Sequence, residues 1–144
     1  MIHGYAERIV GKLRREGLKI TPQRIAILTY LDGNRNHPSV EEIHREVSRS
    51  FPTISLATVY NTLETLEEIR EVQAVNIDPS RKRYDPETRP HHHIICDRCR
   101  TIRDVFVDYA PTLPIPSEVS QEFKIEHATV SFRGFCRRCS ASMS

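Results

Sequence analysis

With 144 residues, 38% of them hydrophobic and 28% charged, the chain has room for one ordinary domain or two small ones. It holds no apolar run long enough to span a bilayer. A net charge of +2 points to no partner by itself. The opening Met1-Ile2-His3-Gly4-Tyr5-Ala6-Glu7-Arg8 lacks the apolar stretch of a secretion signal, so the expectation is a cytoplasmic protein with reduced thiols.

Apolar residues at Ile2, Tyr5, Ile9 and Leu13 repeat at helical spacing and predict a helix from Ile2 to Arg15, stopped at Gly17. This stretch is basic: Arg8, Lys12, Arg14, Arg15, Lys19 and Arg24 stand against Glu7 and Glu16. Such a run is either an anion-facing patch or a solvated helix face. Thr21-Pro22 starts a second helix, with threonine as cap and proline in the first turn; Ile25, Ile27, Leu28 and Leu31 follow, up to Asp32-Gly33-Asn34. Ser39-Val40-Glu41-Glu42 opens a third as a capping box, with Ile43 and Val47 facing inward.

A fourth helix is predicted near Ser55 to Ile69, burying Leu56, Val59, Leu63 and Leu66 and turning Ser55, Thr58, Asn61, Thr62 and Thr65 outward. Strands follow at Glu71–Ile77 and Arg81–Asp85 around the turn Asp78-Pro79-Ser80. Helices that end in a helix-turn-helix and a hairpin describe a winged helix over residues 1–84. The Asp85-Pro86-Glu87-Thr88-Arg89-Pro90 segment reads as a linker. Residues 91–144 read as β-rich, with strands His91–Ile95, Ile102–Val107 and Thr129–Phe135 and a helix around Ser117–Phe123.

All four cysteines fall in two pairs, Cys96-Asp97-Arg98-Cys99 and Cys136-Arg137-Arg138-Cys139. Each CxxC presents two thiolates to one ion, and two such knuckles complete the tetrahedron of a closed structural zinc site. One pair alone is also the signature of a redox dithiol. Two pairs that use every cysteine point to zinc rather than to disulfides or free thiols.

His91-His92-His93 lies in an extended segment, where alternate side chains share a face. His91 and His93 therefore point together and His92 points away. A hairpin turning at Cys96-Cys99 sets Asp104 roughly opposite His91. Asp85 at the exit of the wing and His37 in Asn36-His37-Pro38 are further candidates, although a lone loop histidine is most often merely exposed. Three His and two Asp form a harder donor set than four thiolates and suit five- or six-coordinate Fe(II) or Mn(II) better than tetrahedral zinc.

The Ser55-Leu56-Ala57-Thr58-Val59-Tyr60-Asn61-Thr62-Leu63 helix, the His91-to-Cys99 segment, the final Cys136-x-x-Cys139 and Ile20-Thr21-Pro22-Gln23-Arg24 with Ala26-Ile27-Leu28 resemble the Fur family of bacterial metalloregulators. The resemblance spans essentially the whole chain in the family's order and spacing. Within the family the pattern looks like the PerR type, the peroxide-sensing branch. The regulatory site of that branch, three His and two Asp, matches His37, Asp85, His91, His93 and Asp104. Iron-sensing Fur members typically show glutamate at the positions of Asp85 and Asp104, and commonly arginine where this chain has Asn61. The extra metal site of many Fur proteins would draw here on Pro90, His92, Pro111 and Ala128. Only His92 can ligate, so no third site is expected. Thr65 stands where some PerR proteins have arginine, which leaves the operator sequence open.

The resemblance implies an α+β protein: a winged helix-turn-helix domain (1–84), a hinge (85–90) and a small α/β dimerisation domain (91–144) stapled by one structural Zn2+ per subunit. It implies a metal-dependent repressor, not an enzyme, that binds palindromic double-stranded operator DNA as a homodimer, with Lys19, Ser55, Thr58, Tyr60 and Asn61 at or near the DNA. One regulatory Fe2+ or Mn2+ per subunit would join the domains, and hydrogen peroxide would release DNA by oxidising His37 or His91. Neither a membrane nor a small organic ligand is implied. Two alternatives use the same residues: a Fur-type iron-uptake regulator, and a metal-dependent hydrolase, for which no acid, base or pocket beyond the ligands is visible. A bare zinc-ribbon interaction module leaves the first 85 residues without a purpose.

Overall fold

Residues 4–143 are described by the structure, a computed structural model, and they divide into two units between Thr88 and Arg89. Ile2, read as the start of the first helix, lies outside the described residues. The first unit contains α1 (Gly4–Arg15), α2 (Pro22–Leu31), α3 (Val40–Val47), α4 (Leu56–Glu68) and an antiparallel pair, β1 (Gln73–Val75) and β2 (Arg83–Asp85).

Local chemistry sets the helix ends. Gly17, in the left-handed region at φ 72°, ends α1. The Leu18 amide donates to Leu13 O at 2.8 Å and the Gly17 amide to Arg14 O at 3.0 Å, the double closure of a Schellman motif. Thr21 caps α2 through its hydroxyl, which accepts from the Arg24 amide at 3.2 Å. The capping box on α3 is complete in both directions between Ser39 and Glu42.

One apolar core unites the four helices, including Ile9, Leu13, Ile27, Leu28, Leu31, Ile43, Val47, Val59, Leu63 and Leu66. Each such side chain contributes about 1.5–3 kcal/mol on burial. The inner stripe of α4 starts a turn later than predicted. Leu56 is 38% exposed, whereas Thr62 is buried. Thr62 is tolerated there because its hydroxyl donates to Thr58 O at 2.8 Å.

The basic start of the chain is less free than its composition suggests. Glu71, itself buried, pairs with Arg8 at 2.8 Å and Lys12 at 3.0 Å, and Lys12 also donates to Ile69 O at 2.6 Å. These two cations fasten α1 to the end of α4. Glu71 is consequently not part of the strand predicted over Glu71–Ile77. Asp85, expected both as the end of the strand Arg81–Asp85 and as the first linker residue, is the last residue of β2. The segment before α3 joins the hairpin: Ser39 bridges Arg83 and the Tyr84 amide donates to Pro38 O at 3.0 Å.

The second unit holds β3 (His92–Cys96), β4 (Ile102–Val105), a 3-10 turn (Ala110–Thr112), α5 (Ser117–Glu122), β5 (Ser131–Gly134) and α6 (Arg137–Ala141). Its sheet runs β4-β3-β5, with β3 antiparallel to β4 and parallel to β5. The short α6 lies outside the elements that the sequence pattern predicts. It grows out of the second CxxC, with Cys136 as its cap. α5 buries no residue, and Phe106, Val107, Ile115, Phe123 and Phe135 are exposed. No helix among the described residues is long and apolar enough to cross a membrane.

Candidate metal centres

Cys96 closes β3, Cys99 ends the first knuckle, and Cys136 and Cys139 flank the start of α6. The four Sγ atoms lie within 4.8 Å of one another, and none forms a disulfide. Cys99 Sγ and Cys136 Sγ are 3.8 Å apart, close to the edge of about 3.8 Å of a tetrahedron with Zn–S bonds of about 2.3 Å. Backbone amides aim at the sulfurs. Cys136 N–H donates to Cys96 Sγ at 3.4 Å, Cys99 N–H to the same atom at 3.5 Å, and Cys139 N–H to Cys136 Sγ at 3.5 Å. Such donors stabilise thiolates. The Cys136 amide, first among the causes, lowers the Cys96 thiol, and the Thr101 hydroxyl holds Cys99 down at about 6. Burial instead pushes Cys139 up to about 12, and a cation is what would drive that last proton off. The four-sulfur cluster therefore fits a structural zinc ion.

The second unit also gathers imidazoles. His93 and Asp104 face each other directly across β3 and β4, so the expected pairing of Asp104 with His91 is corrected by two residues. The turn extends beyond Cys99: Arg100 adopts the left-handed region at φ 64° and the Cys96 amide pairs with Thr101 O at 3.0 Å. His91 still reaches the same carboxylate. Asp104 Oδ1 is 3.2 Å from His91 Nε2 and 3.3 Å from His93 Nε2. His91 Nδ1 lies 2.6 Å from Arg89 O. A carbonyl only accepts, so Nδ1 is the donor there and Nε2 is the ring nitrogen left to face Asp104 and a metal. His92 points the other way. Its Nδ1 accepts from the Val130 amide at 2.9 Å and its ring lies against Tyr109.

A second His/Asp pair belongs to the first unit. His37 Nε2 is 3.3 Å from Asp85 Oδ2, both side chains being buried. The other carboxylate oxygen, Oδ1, accepts from the Glu87 amide at 2.9 Å, which fixes the orientation of Oδ2. His37 has φ 53°, a left-handed backbone that costs a non-glycine residue roughly 1–2 kcal/mol. Adjacent ligand atoms of an octahedral ion with bonds near 2.1 Å are about 3.0 Å apart, close to all three spacings. Imidazole nitrogens with carboxylate oxygens fit Fe(II) or Mn(II).

Four of the five predicted DNA-facing residues, all but Tyr60, meet at one groove. Lys19, Thr21, Gln23, Arg24, Ser55, Thr58 and Asn61 line an open polar groove of about 430 Å³ between the starts of α2 and α4. Ser55 is occupied as the cap of α4, its hydroxyl accepting from the Thr58 amide at 3.1 Å. Tyr60 projects from α4 with 46% of its surface exposed. Arg24 donates to Lys19 O at 2.6 Å, which holds the backbone that carries Lys19.

The family model described as the ferric uptake regulator family matches residues 15–133. The chain belongs to that family. It is thus a Fur-family metal-dependent regulator. The peroxide-responsive repressor PerR of Staphylococcus epidermidis is 36% identical to it over 136 residues, 92% of this chain and 89% of that protein. PerR of Staphylococcus aureus strain Mu50 is 35% identical over 133 residues, 92% of this chain and 90% of that one. Among solved structures, the Helicobacter pylori ferric uptake regulator Fur superposes with a TM-score of 0.79 at 25% identity, over 97% of this chain and 94% of that chain. The Campylobacter jejuni peroxide stress regulator gives 0.67 at 30% identity, over 90% and 98%.

Sequence reasoning about this Fur-family chain missed Arg83 and Asp78. Arg83 is buried, donates to Asp78 Oδ2 at 2.9 Å and 3.2 Å, and donates to His37 O at 3.2 Å. The available signal was strand alternation, which sets Arg83 on the same face of β2 as Asp85.

Proposed function

We propose that this chain is a transcriptional repressor that binds palindromic operator DNA as a homodimer when Fe(II) or Mn(II) is bound, and that hydrogen peroxide releases it. One ion would be held jointly by His37 and Asp85 of the first unit and His91, His93 and Asp104 of the second. The observation that carries this reading is the matched pair of His/Asp clusters, each with an aspartate oxygen 3.2 or 3.3 Å from imidazole Nε2. The identity to PerR proteins supports the peroxide branch over the iron-uptake branch, as do the short carboxylates at Asp85 and Asp104.

The residues act as follows. Asp85 and Asp104 neutralise the cation and orient the imidazoles, and the Arg89 carbonyl keeps His91 in the tautomer that ligates. An ion that binds only when both units contribute favours the DNA-competent arrangement by its differential affinity. Ferrous iron held by these residues would supply the redox chemistry by which hydrogen peroxide oxidises a neighbouring ligand. His37 or His91 would gain one peroxide oxygen on its imidazole carbon, the other leaving as water, and would then ligate poorly, so the units would no longer be held together. Mn(II) in the same place would leave the histidines intact. The thiolates of Cys96, Cys99, Cys136 and Cys139 serve structure rather than sensing.

On the DNA side, α4 enters the major groove with Thr58, Tyr60 and Asn61 toward the bases, Asn61 suiting an adenine edge. Lys19 contacts phosphate, and Ser55 acts through the cap that orients the helix. The exposed apolar residues of the second unit, Phe106 and Phe123 among them, support a two-fold interface there, and two-fold pairing requires a palindrome. Such a protein works in the cytoplasm and turns over no substrate.

The test is operator binding by fluorescence anisotropy, using a duplex selected from a random-sequence pool with the Mn(II)-loaded protein. Both the Fe(II) and Mn(II) forms should bind, the form stripped of regulatory metal should not, and peroxide should release only the Fe(II) form. Equal binding by the stripped protein removes the regulatory role of the metal.

A further inference from the structure

We propose that Arg83 is a positioning residue for the regulatory metal, presenting His37 as a ligand through the buried series Asp78–Arg83–His37. The inference rests on the assignment of His37 as a ligand.

Arg83 and Asp85 are two residues apart on β2 and act on opposite ends of one histidine. Asp85 faces the His37 ring at 3.3 Å, whereas Arg83 holds the His37 carbonyl at 3.2 Å. The backbone needs holding, because His37 sits at φ 53° and is followed by Pro38, a residue that disfavours helical conformations before it. A strained conformation persists only where its surroundings over-determine it. Here the neighbouring residues are clamped to β2 by the Ser39–Arg83 bridge and by the Tyr84 amide on Pro38 O.

The guanidinium is itself held in place. Two of its nitrogens donate to Asp78 Oδ2, leaving Nη1 aimed at His37 O. Asp78 is in turn fixed by Ser80, whose amide and hydroxyl donate to Oδ1 at 2.9 and 2.6 Å. A planar fork spans the carboxylate and the carbonyl together, and a lysine ammonium cannot reproduce that geometry. Groups that orient a ligating histidine set metal affinity without touching the ion.

The experiment is a titration of the zinc-loaded full chain with Mn(II), read from the EPR signal of free Mn(II), without DNA or peroxide. Arg83→Met and Asp78→Asn should each weaken Mn(II) binding by about 10–100-fold, with zinc content unchanged because the four cysteines belong to the other unit. Arg83→Lys should fall between them and the wild type. Lys82→Ala breaks the Lys82–Glu67 pair of the same hairpin, 3.1 Å, and should leave the affinity unchanged, which separates positioning from general loosening of the wing. Asp78→Asn keeps the test decisive if Arg83→Met does not fold. His37→Ala is the reference. If it weakens Mn(II) binding while Arg83→Lys and Asp78→Asn bind as the wild type does, the positioning role is overturned and the ligand assignment stands. If His37→Ala binds normally, the ligand assignment falls and this inference falls with it.

Discussion

Asp104 meets His91 on the diagonal of the β3–β4 hairpin. Its directly paired neighbour is His93, yet its Oδ1 lies 3.2 Å from His91 Nε2 and 3.3 Å from His93 Nε2. One short carboxylate thus gathers two imidazoles with a single oxygen. Such an arrangement depends on the length of the side chain as much as on its charge.

Asp104→Glu therefore keeps the charge and moves the oxygen by one methylene. The variant should retain Mn(II)-dependent operator binding but lose most of its release by peroxide, because oxidation of a ligand depends on where the ion sits relative to the imidazoles. Release curves against peroxide concentration for the Fe(II) forms test this. Release as efficient as in the wild type would show that carboxylate length does not tune sensing.

The zinc site makes a separate claim. Cys96 Sγ receives amide hydrogen bonds from both knuckles, so Cys96→Ser removes a ligand at the atom that joins them. Because metal binding supplies folding energy to such domains, zinc content and dimer should be lost together. Elemental analysis alongside light scattering checks this. A zinc-free variant that remains a stable dimer would refute the structural role.

For DNA, Asn61 and Lys19 should behave differently. Asn61→Ala should cost about 1–3 kcal/mol on the selected operator and much less on unrelated duplexes. Lys19→Ala should weaken all duplexes alike and reduce the slope of log affinity against log salt by about 1. Unchanged operator affinity in Asn61→Ala would mean that another face of α4 reads the bases.

Asp78 carries a pH signature. Burial raises its carboxyl, but hydrogen bonds from Ser80 and Arg83 outweigh burial and hold it at about 2, against an ordinary 3.8. A folded-state value below the unfolded one stabilises the protein above about pH 4 and is lost as the pH falls toward 2. Asp78→Asn should therefore cost on the order of 2 kcal/mol in urea unfolding at neutral pH, and the difference from the wild type should shrink below pH 4. A pH-independent difference would mean that the charge of Asp78 is not what stabilises the fold.

Elements governed by local chemistry were legible in the sequence. Thr21, Ser39 and Ser55 each cap the helix they were expected to start, and the two CxxC pairs converge on one cluster. What was not legible depends on single backbone conformations and on hydrogen-bond partners. The register of the hairpin turned on Arg100 entering the left-handed region, which no periodicity encodes. Thr62 looks polar in the sequence yet is buried, because its hydroxyl is satisfied within its own helix. Arg8 and Lys12 belong to a basic run whose composition fits an anion-facing patch or a solvated face, yet both pair with the buried Glu71. Nothing in the sequence pattern links Arg83 to His37, and only the folded hairpin brings them together.

In the proposed function, ligand histidines and not thiolates register peroxide. The most direct measurement is peptide mass spectrometry of the zinc-loaded protein after peroxide treatment, with Fe(II) or Mn(II) at the regulatory site. The expected result is a gain of one oxygen atom on peptides containing His37 or His91 in the Fe(II) form only, rising in step with loss of operator binding. Release of DNA with both histidines intact and Cys96, Cys99, Cys136 or Cys139 oxidised would contradict it and make the zinc site the sensor.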